Sequence, residues 1–160
     1  FMRERKLNIE LSKVGSDDAD SEYLAFDSFI KNANDSKWLT NYDTAISKAK
    51  KQKKNVLVYF TGSDWCPPCK MLKTDLFDTV EFQELSSNYI LLYIDVPRNK
   101  DLLTEKQLAH NKELLTKLNK KKVFPLFKVI DYKGKELDAL SGYSMNGVVD
   151  SHLKLLEKNK

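Results

Sequence analysis

Cysteine is almost missing from this chain: among 160 residues only Cys66 and Cys69 carry thiols, three positions apart. Two cysteines so close together cannot form the disulfide framework of a stapled miniprotein, so the pair is a site or nothing. Arginine occurs only at Arg3, Arg5 and Arg98, and histidine only at His110 and His152. Four prolines and five glycines are too few for collagen-like or low-complexity repetition. No apolar run approaches the roughly 20 residues that span a bilayer. The opening Phe1-Met2-Arg3-Glu4-Arg5-Lys6 has charges but no apolar stretch behind them, so no signal-peptide pattern is present. A chain that starts with Phe has either lost a leader or carries a residue placed ahead of Met2.

What is present suits a folded domain. The hydrophobic share is 41%, with two tryptophans, seven tyrosines and eight phenylalanines, and a charged share of 31% marks a hydrated surface. Disorder throughout is excluded by that balance. The net charge of +4 is uneven, with 5 basic and 8 acidic residues over positions 1–36 against 22 and 15 over 37–160. Lysines crowd at Lys48, Lys50, Lys51, Lys53 and Lys54 and again at Lys120, Lys121 and Lys122. Nucleic acid is not an expected partner, because these clusters lack interleaved arginine and aromatic residues. They read as solvated faces at helix ends, where cations complement the macrodipole.

Polar, acidic and aperiodic residues over 12–22 read as a linker, and Tyr23, Leu24, Phe26, Phe29 and Ile30 as a short amphipathic segment. The domain reading is therefore an N-terminal extension over 1–36 and one domain over 37–160. In that domain Tyr42, Ala45, Ile46 and Ala49 form a helical stripe capped by Thr40 or Asn41, with a short strand near Trp38 in front. Val56–Phe60 and Tyr89–Ile94 are continuous apolar runs of the kind that form strands buried on both faces. Between them a helix opens at Pro67 and runs to about Asp78, with Met71, Leu72, Leu76 and Phe77 inward. Thr104 and Gln107 make a capping-box start for a helix carrying Leu108, Leu115 and Leu118. Val123–Ile130 and Glu136–Leu140 flank a short Gly134-containing loop and predict a hairpin. Val149, Leu153 and Leu156 stripe a closing helix. Strands alternating with helices, then a hairpin, predict an α/β fold with a mixed central sheet and helices on both faces.

The chemistry lies in Asp64-Trp65-Cys66-Pro67-Pro68-Cys69-Lys70. A Cys-x-x-Cys that follows a buried strand and opens a helix is a redox motif, its thiols one helical turn apart. Cys66 falls at the helix start, where unpaired N–H groups favour a thiolate, whereas Cys69 lies a turn deeper. Cys66 is thus the expected attacking thiol and Cys69 the resolving one. The competing reading is half a zinc site with His110 and His152, but their spacings match no zinc pattern, and both are expected to be exposed or hydrogen-bonded helix residues. No metal site is expected. Trp38 reads as a packing aromatic and Asp95 as structural.

Taken together, Val56–Phe60, Trp65–Lys70, Phe124-Pro125 and Lys133-Gly134-Lys135 resemble the thioredoxin superfamily over about residues 37–158. The lead-in Ala45–Lys50 and the helix at Val80-Glu81-Phe82 are similar to bacterial envelope thioredoxin-like proteins. The resemblance implies a thioredoxin-like fold and a cis Pro125 facing the two sulfurs. It also implies that the Phe124 backbone is offered to an extended substrate, with Gly142 at the same rim. Trp65, Pro67, Pro68, Phe124 and Pro125 are then the expected substrate-facing surface. The implied activity is a thiol–disulfide oxidoreductase, in direction a protein disulfide reductase, with no cofactor beyond the Cys66–Cys69 pair. Its expected partners are protein disulfides and an upstream electron donor. The expectation is a monomer, with a membrane tether through a missing N-terminal segment and a place in the bacterial periplasm or envelope, cytoplasm being the alternative. The other class of reading is a thioredoxin-fold interaction module whose cysteines are redox-silent or bind metal.

Two departures from thioredoxin itself stand out. Pro-Pro replaces Gly-Pro between the cysteines and removes two N–H donors near Cys66, leaving the amides of Cys69 and Lys70. Tyr59 stands where thioredoxin keeps a buried aspartate, and a phenol is no base near neutral pH. Asp64 is the candidate replacement, although its place beside Trp65 suggests exposure.

Overall fold

The run Asn55–Thr61 forms the central strand of the sheet, because its β-branched and aromatic residues have apolar partners on both faces. In the computed structural model, which describes residues 37–160, five strands are ordered β1-β3-β2-β4-β5. They are β1 (Trp38–Leu39), β2 (Asn55–Thr61), β3 (Tyr89–Asp95), β4 (Leu126–Ile130) and β5 (Glu136–Ser141). β2 lies parallel to β3 from Asn55↔Tyr89 to Thr61↔Asp95, and β1 joins β3 in parallel. On its other side β2 runs antiparallel to β4, and β4 to β5. The expected mixed sheet is therefore present. The expectations for residues 1–36, including the linker and the amphipathic segment at Tyr23–Ile30, lie outside the described residues.

Alternation along β2 sends side chains to two separate cores. Val56, Val58 and Phe60 pack with Ala45 and Ala49 of α1 (Tyr42–Gln52) and Leu114 of α4 (Glu105–Leu118). Leu57 and Tyr59 pack on the other face with Leu72, Leu76, Phe82, Phe127 and Leu156. Those residues come from α2 (Pro67–Leu72) and the π-helical turn that prolongs it (Lys73–Phe77), from α3 (Val80–Ser86), from β4 and from α5 (Asp150–Lys158). Helices thus cover both faces. Asn41 supplies the α1 cap, its Oδ1 accepting from Thr44 N at 2.9 Å. Thr104 caps α4 by accepting from Gln107 N at 3.1 Å. The other half of the expected capping box is absent, because the Gln107 amide donates to Thr40 O at 2.8 Å and Asn111 Oδ1 at 2.9 Å instead.

Local details differ from the sequence pattern in three places. Asp78 N bonds to Lys73 O at 2.9 Å, five residues back, a wider turn than the α-helical one. Leu72 and Leu76 stay fully buried, while Met71, expected inward, is 38% exposed. The strand expected to begin at Val123 begins at Leu126. Asn119, itself buried, holds Val123 in a turn instead, donating to its carbonyl and accepting from its amide at 2.9 and 3.0 Å.

The third difference concerns the histidines. His110 is satisfied: its Nε2 accepts from Tyr42 N at 2.9 Å and its Nδ1 meets Asn111 Oδ1 at 2.7 Å. His152 is neither exposed nor satisfied, being 4% exposed with no hydrogen bond to either ring nitrogen. It packs edge-on to Phe127 and Tyr143, with centroids 5.0 and 5.8 Å away. The helical stripe places it inward beside Leu155 and Leu156, and the ring is buried there for its apolar surface.

Burial holds the His152 imidazole below its ordinary pKa of 6.5, with the nearby Gly142 backbone acting in the opposite sense. The unfolded chain therefore binds a proton that the folded chain resists, and stability falls as the pH drops through about 6.5 and below. Urea unfolding compared at pH about 7.5 and 5.5 should show a smaller acid loss in His152→Leu than in the parent chain. Equal losses would show that His152 takes up its proton equally in the folded and unfolded chains.

Candidate active site

The loop that leaves β2 is fastened to the end of β3 at several points. Thr61 O accepts from Val96 N at 2.8 Å, and Gly62 O accepts from Trp65 N and Cys66 N at 3.2 and 2.9 Å. The buried Asp95 carboxylate accepts from Ser63 N at 2.9 Å and from Ser63 Oγ at 2.5 Å, and Asn111 Nδ2 donates to the Asp95 carbonyl at 2.8 Å. The Trp65 indole Nε1 donates to Val96 O at 2.8 Å. A Cβ on Gly62 would overlap the Trp65 ring, so only glycine lets the indole lie against this backbone. The bonds of Val96 and Asp95 to Thr61, Ser63 and Trp65 join the ends of adjacent parallel strands, those to Gly62 O close the loop on itself, and together they fix where the next residue, Cys66, emerges.

Cys66 is the N-cap of α2, with Pro67 and Pro68 in the first helical positions. Proline suits those positions because its fixed φ is already helical and an N–H there has no intrahelical partner. Cys66 and Cys69 are joined as a disulfide, with Cα atoms 5.2 Å apart. Both are buried, at 3% and 4% exposure, so the expected difference in shielding is absent while the sulfurs are bonded to each other. Lys70 N, expected to remain available near Cys66, bonds to the Cys66 carbonyl at 3.1 Å, which leaves the Cys69 amide as the donor of this first turn.

Beneath the helix, the Tyr59 hydroxyl donates to Cys69 O at 3.2 Å. Burial pushes this phenol far above its ordinary range, and the nearby Asp95 charge adds to the shift. Tyr59 therefore stays protonated and acts as a fixed donor that ties the second cysteine's backbone to the sheet. Asp64 does not take over as a base. Its two oxygens accept from Arg98 N and Asn99 N at 2.9 and 2.8 Å, and these bonds hold its carboxyl below the usual carboxylate range.

The remaining site residues arrive from the other side of the sheet. The Phe124–Pro125 peptide is cis, as the resemblance implies. Pro125 is buried, and its carbonyl accepts from Gly142 N at 2.8 Å, which places Gly142 on this loop. The Phe124 ring meets Trp65 edge-on with centroids 5.2 Å apart. The structure thus joins the two expected halves, Trp65–Cys69 and Phe124–Pro125, through an aromatic contact. Pro67 is exposed, and Pro68, Trp65 and Phe124 are half-buried. Gly62, Ser63, Asp95 and Arg98 were not expected at the site. The Thr61-Gly62-Ser63 interruption between the strand and the cysteines was the one sequence signal for them. Among the described residues, no three His, Cys, Asp or Glu side chains cluster as metal ligands.

Comparison with known proteins agrees with this geometry. A family described as Thioredoxin-like matches residues 37–130. The disulfide bond reductase DsbH of Chlamydia pneumoniae is 31% identical over 108 residues, 67% of this chain and 63% of that protein, so the match spans less than two thirds of the relative's length. Among solved structures, a DsbH oxidoreductase superposes with a TM-score of 0.65 at 26% identity, over 77% of this chain and 85% of its own. A thioredoxin from Thermus thermophilus superposes with a TM-score of 0.57 at 21% identity, covering 76% and 85%, and shares the fold. The family match covers more than half of the chain and includes the cysteine pair and strands β1 to β4: the protein belongs to the thioredoxin-like family.

Proposed function

We propose that this protein is a thiol–disulfide oxidoreductase that reduces disulfides in other proteins. The observation that carries the reading is the Cys66–Cys69 pair at bonding distance where β2 gives way to α2. The similarity to a protein named as a disulfide bond reductase supports the direction.

In this reading the reduced protein attacks through the Cys66 thiolate. A Cys66 Sγ–substrate sulfur bond forms as the substrate disulfide breaks, and the departing sulfur leaves as a thiolate that takes a proton from water. Cys69 then gives up its proton, its sulfur bonds to Cys66 Sγ, and the second substrate sulfur leaves. Two electrons and two protons pass to the substrate, and the pair ends as the disulfide described above. An upstream dithiol donor restores it by the reverse exchange. The cysteines carry the redox change themselves, so no further cofactor enters the scheme. Neither Tyr59 nor Asp64 serves as the acceptor of the Cys69 proton, which leaves water or the departing substrate thiolate in that role.

Trp65, Pro67, Pro68 and Phe124 form the surface on which the substrate segment lies, and Pro125 sets the backbone behind it. The protein acts as a monomer in the bacterial periplasm or envelope, with residues 1–36 as an extension ahead of the domain and a membrane tether beyond them. Among the described residues, no helix is long and apolar enough to cross a membrane.

Two outcomes test this assignment. Cys69→Ser keeps the attacking sulfur but removes resolution, so it should accumulate dithiothreitol-sensitive adducts with envelope proteins, while Cys66→Ser should form none. Adducts through Cys69 would reverse the roles, and none from either variant would favour a binding module. The Cys66 thiol of the reduced protein should titrate below about 8.5, the unperturbed value, because the helix start stabilises its thiolate. Alkylation by iodoacetamide against pH measures the midpoint, and a value at or above the unperturbed one contradicts an activated nucleophile.

A further inference from the structure

We propose that the substrate segment is acidic: the site selects disulfides flanked by Asp and Glu, through cations set on both sides of its aromatic platform. The proposal rests on the redox reading above and deepens it to a substrate class.

The best-placed cation is Arg98, whose guanidinium lies over the Trp65 ring, 4.6 Å from its centroid. The backbone places it there. Trp65 Nε1 holds Val96 O, and the Asp64 carboxylate takes the amides of Arg98 and Asn99, so the loop after β3 is fixed along the edge of the loop that carries Cys66. The Asp64 carboxylate lies beside Arg98, and both of its oxygens are engaged by backbone N–H groups. Arg98 itself is exposed, and among the described residues its side chain is in no salt bridge. A guanidinium stacked on an indole keeps its N–H edge free, and that edge matches a carboxylate in two-pronged fashion.

Phe124 meets Trp65 edge-on, and the turn that leads to it carries three successive lysines. Lys120, Lys121 and Lys122 are all exposed and project from a turn closed by Lys122 N bonding to Asn119 O at 2.9 Å and by the paired Asn119–Val123 bonds. Lys122 precedes Phe124 by two residues, within about 7 Å of chain. Lys70 is exposed in the first turn of α2, and Lys100 is exposed beyond Arg98, beside the exposed Asp101. Residues 142–148 on the opposite rim carry no charge of their own, and the Tyr143 hydroxyl there donates to the Asp75 carboxylate. Six cations thus border the site against four carboxylates, Asp64, Asp101, the buried Asp95 on Ser63 and Asp75 on Tyr143. Such one-sided fields raise the encounter rate of acidic partners and repel basic ones, more strongly at low salt.

The test measures reduction of three peptides that share one disulfide loop and differ only in flanks of Asp and Glu, of Ser and Gly, or of Lys, at about 0.02 M and about 0.5 M salt, where screening lengths differ several-fold. The expected result is kcat/KM at least about tenfold higher for the acidic than for the basic flanks at low salt, collapsing toward equality at high salt. Arg98→Glu and the triple change Lys120→Glu, Lys121→Glu, Lys122→Glu should each lower that ratio, and the double serine variant of Cys66 and Cys69 should bind the acidic peptide more tightly than the basic one. Reduction of all three peptides at equal rates overturns the proposal while leaving the redox reading intact. Equal rates with capture by vesicles of anionic lipid would assign the patch to a membrane surface and overturn it likewise. No exchange with any peptide contradicts the redox reading, and the proposal with it.

Discussion

The central position of β2 is the constraint on which the rest depends. It is hydrogen-bonded to β3 along all seven of its residues and to β4 along five, and every residue from Val56 to Thr61 is buried. A strand held on both edges and covered on both faces cannot slip without turning its apolar set toward the wrong core. Cys66 emerges five residues beyond its end. Any uncertainty in β2 would be passed directly to the sulfur, and the packing removes that uncertainty.

Between strand and sulfur the protein uses polar bonds in place of apolar packing. Asp95 on Ser63, Val96 on Trp65, and Asp64 on the amides of Arg98 and Asn99 all tie the loop after β2 to the end of β3. Hydrogen bonds to a charged acceptor are the stronger kind, each contributing about 1.5–3 kcal/mol in a protected setting such as that of Asp95. Below the helix Tyr59 supplies one more bond, and its high phenolic pKa means that this donor does not change state over the working pH range. The site is thus rigid on the sheet side and open on the side of Pro67, Pro68 and Phe124, the geometry that exchange with a large disulfide substrate needs.

Much of this was legible in the sequence, and for definite reasons. Val56–Phe60 and Tyr89–Ile94 announce buried strands because a strand covered on both faces leaves no position for a polar residue. Cys-Pro-Pro-Cys announces a helix start because two successive prolines fit only where N–H groups lack partners. The residues that escaped notice work through space. Asp95 reaches Ser63 across a parallel strand pair 32 residues apart in sequence, and Arg98 reaches Trp65 by the same route. Met71 points outward because the buried stripe of its helix runs through Cys69, Leu72 and Leu76 at helical spacing, which leaves Met71 on the opposite side. His152 was misjudged because an imidazole on a helical stripe looks the same in sequence whether it is bonded or only packed. Tyr59 was rightly rejected as a base, but its role as a donor to Cys69 required the distance.

The central claim is that the Cys66–Cys69 pair, held by this scaffold, passes electrons to protein disulfides. Catalysed reduction of insulin by dithiothreitol, followed as turbidity, tests it most directly. The account predicts that the intact chain accelerates precipitation well beyond dithiothreitol alone and that replacing both cysteines with serine abolishes the acceleration. Equal rates with and without the thiols would contradict it.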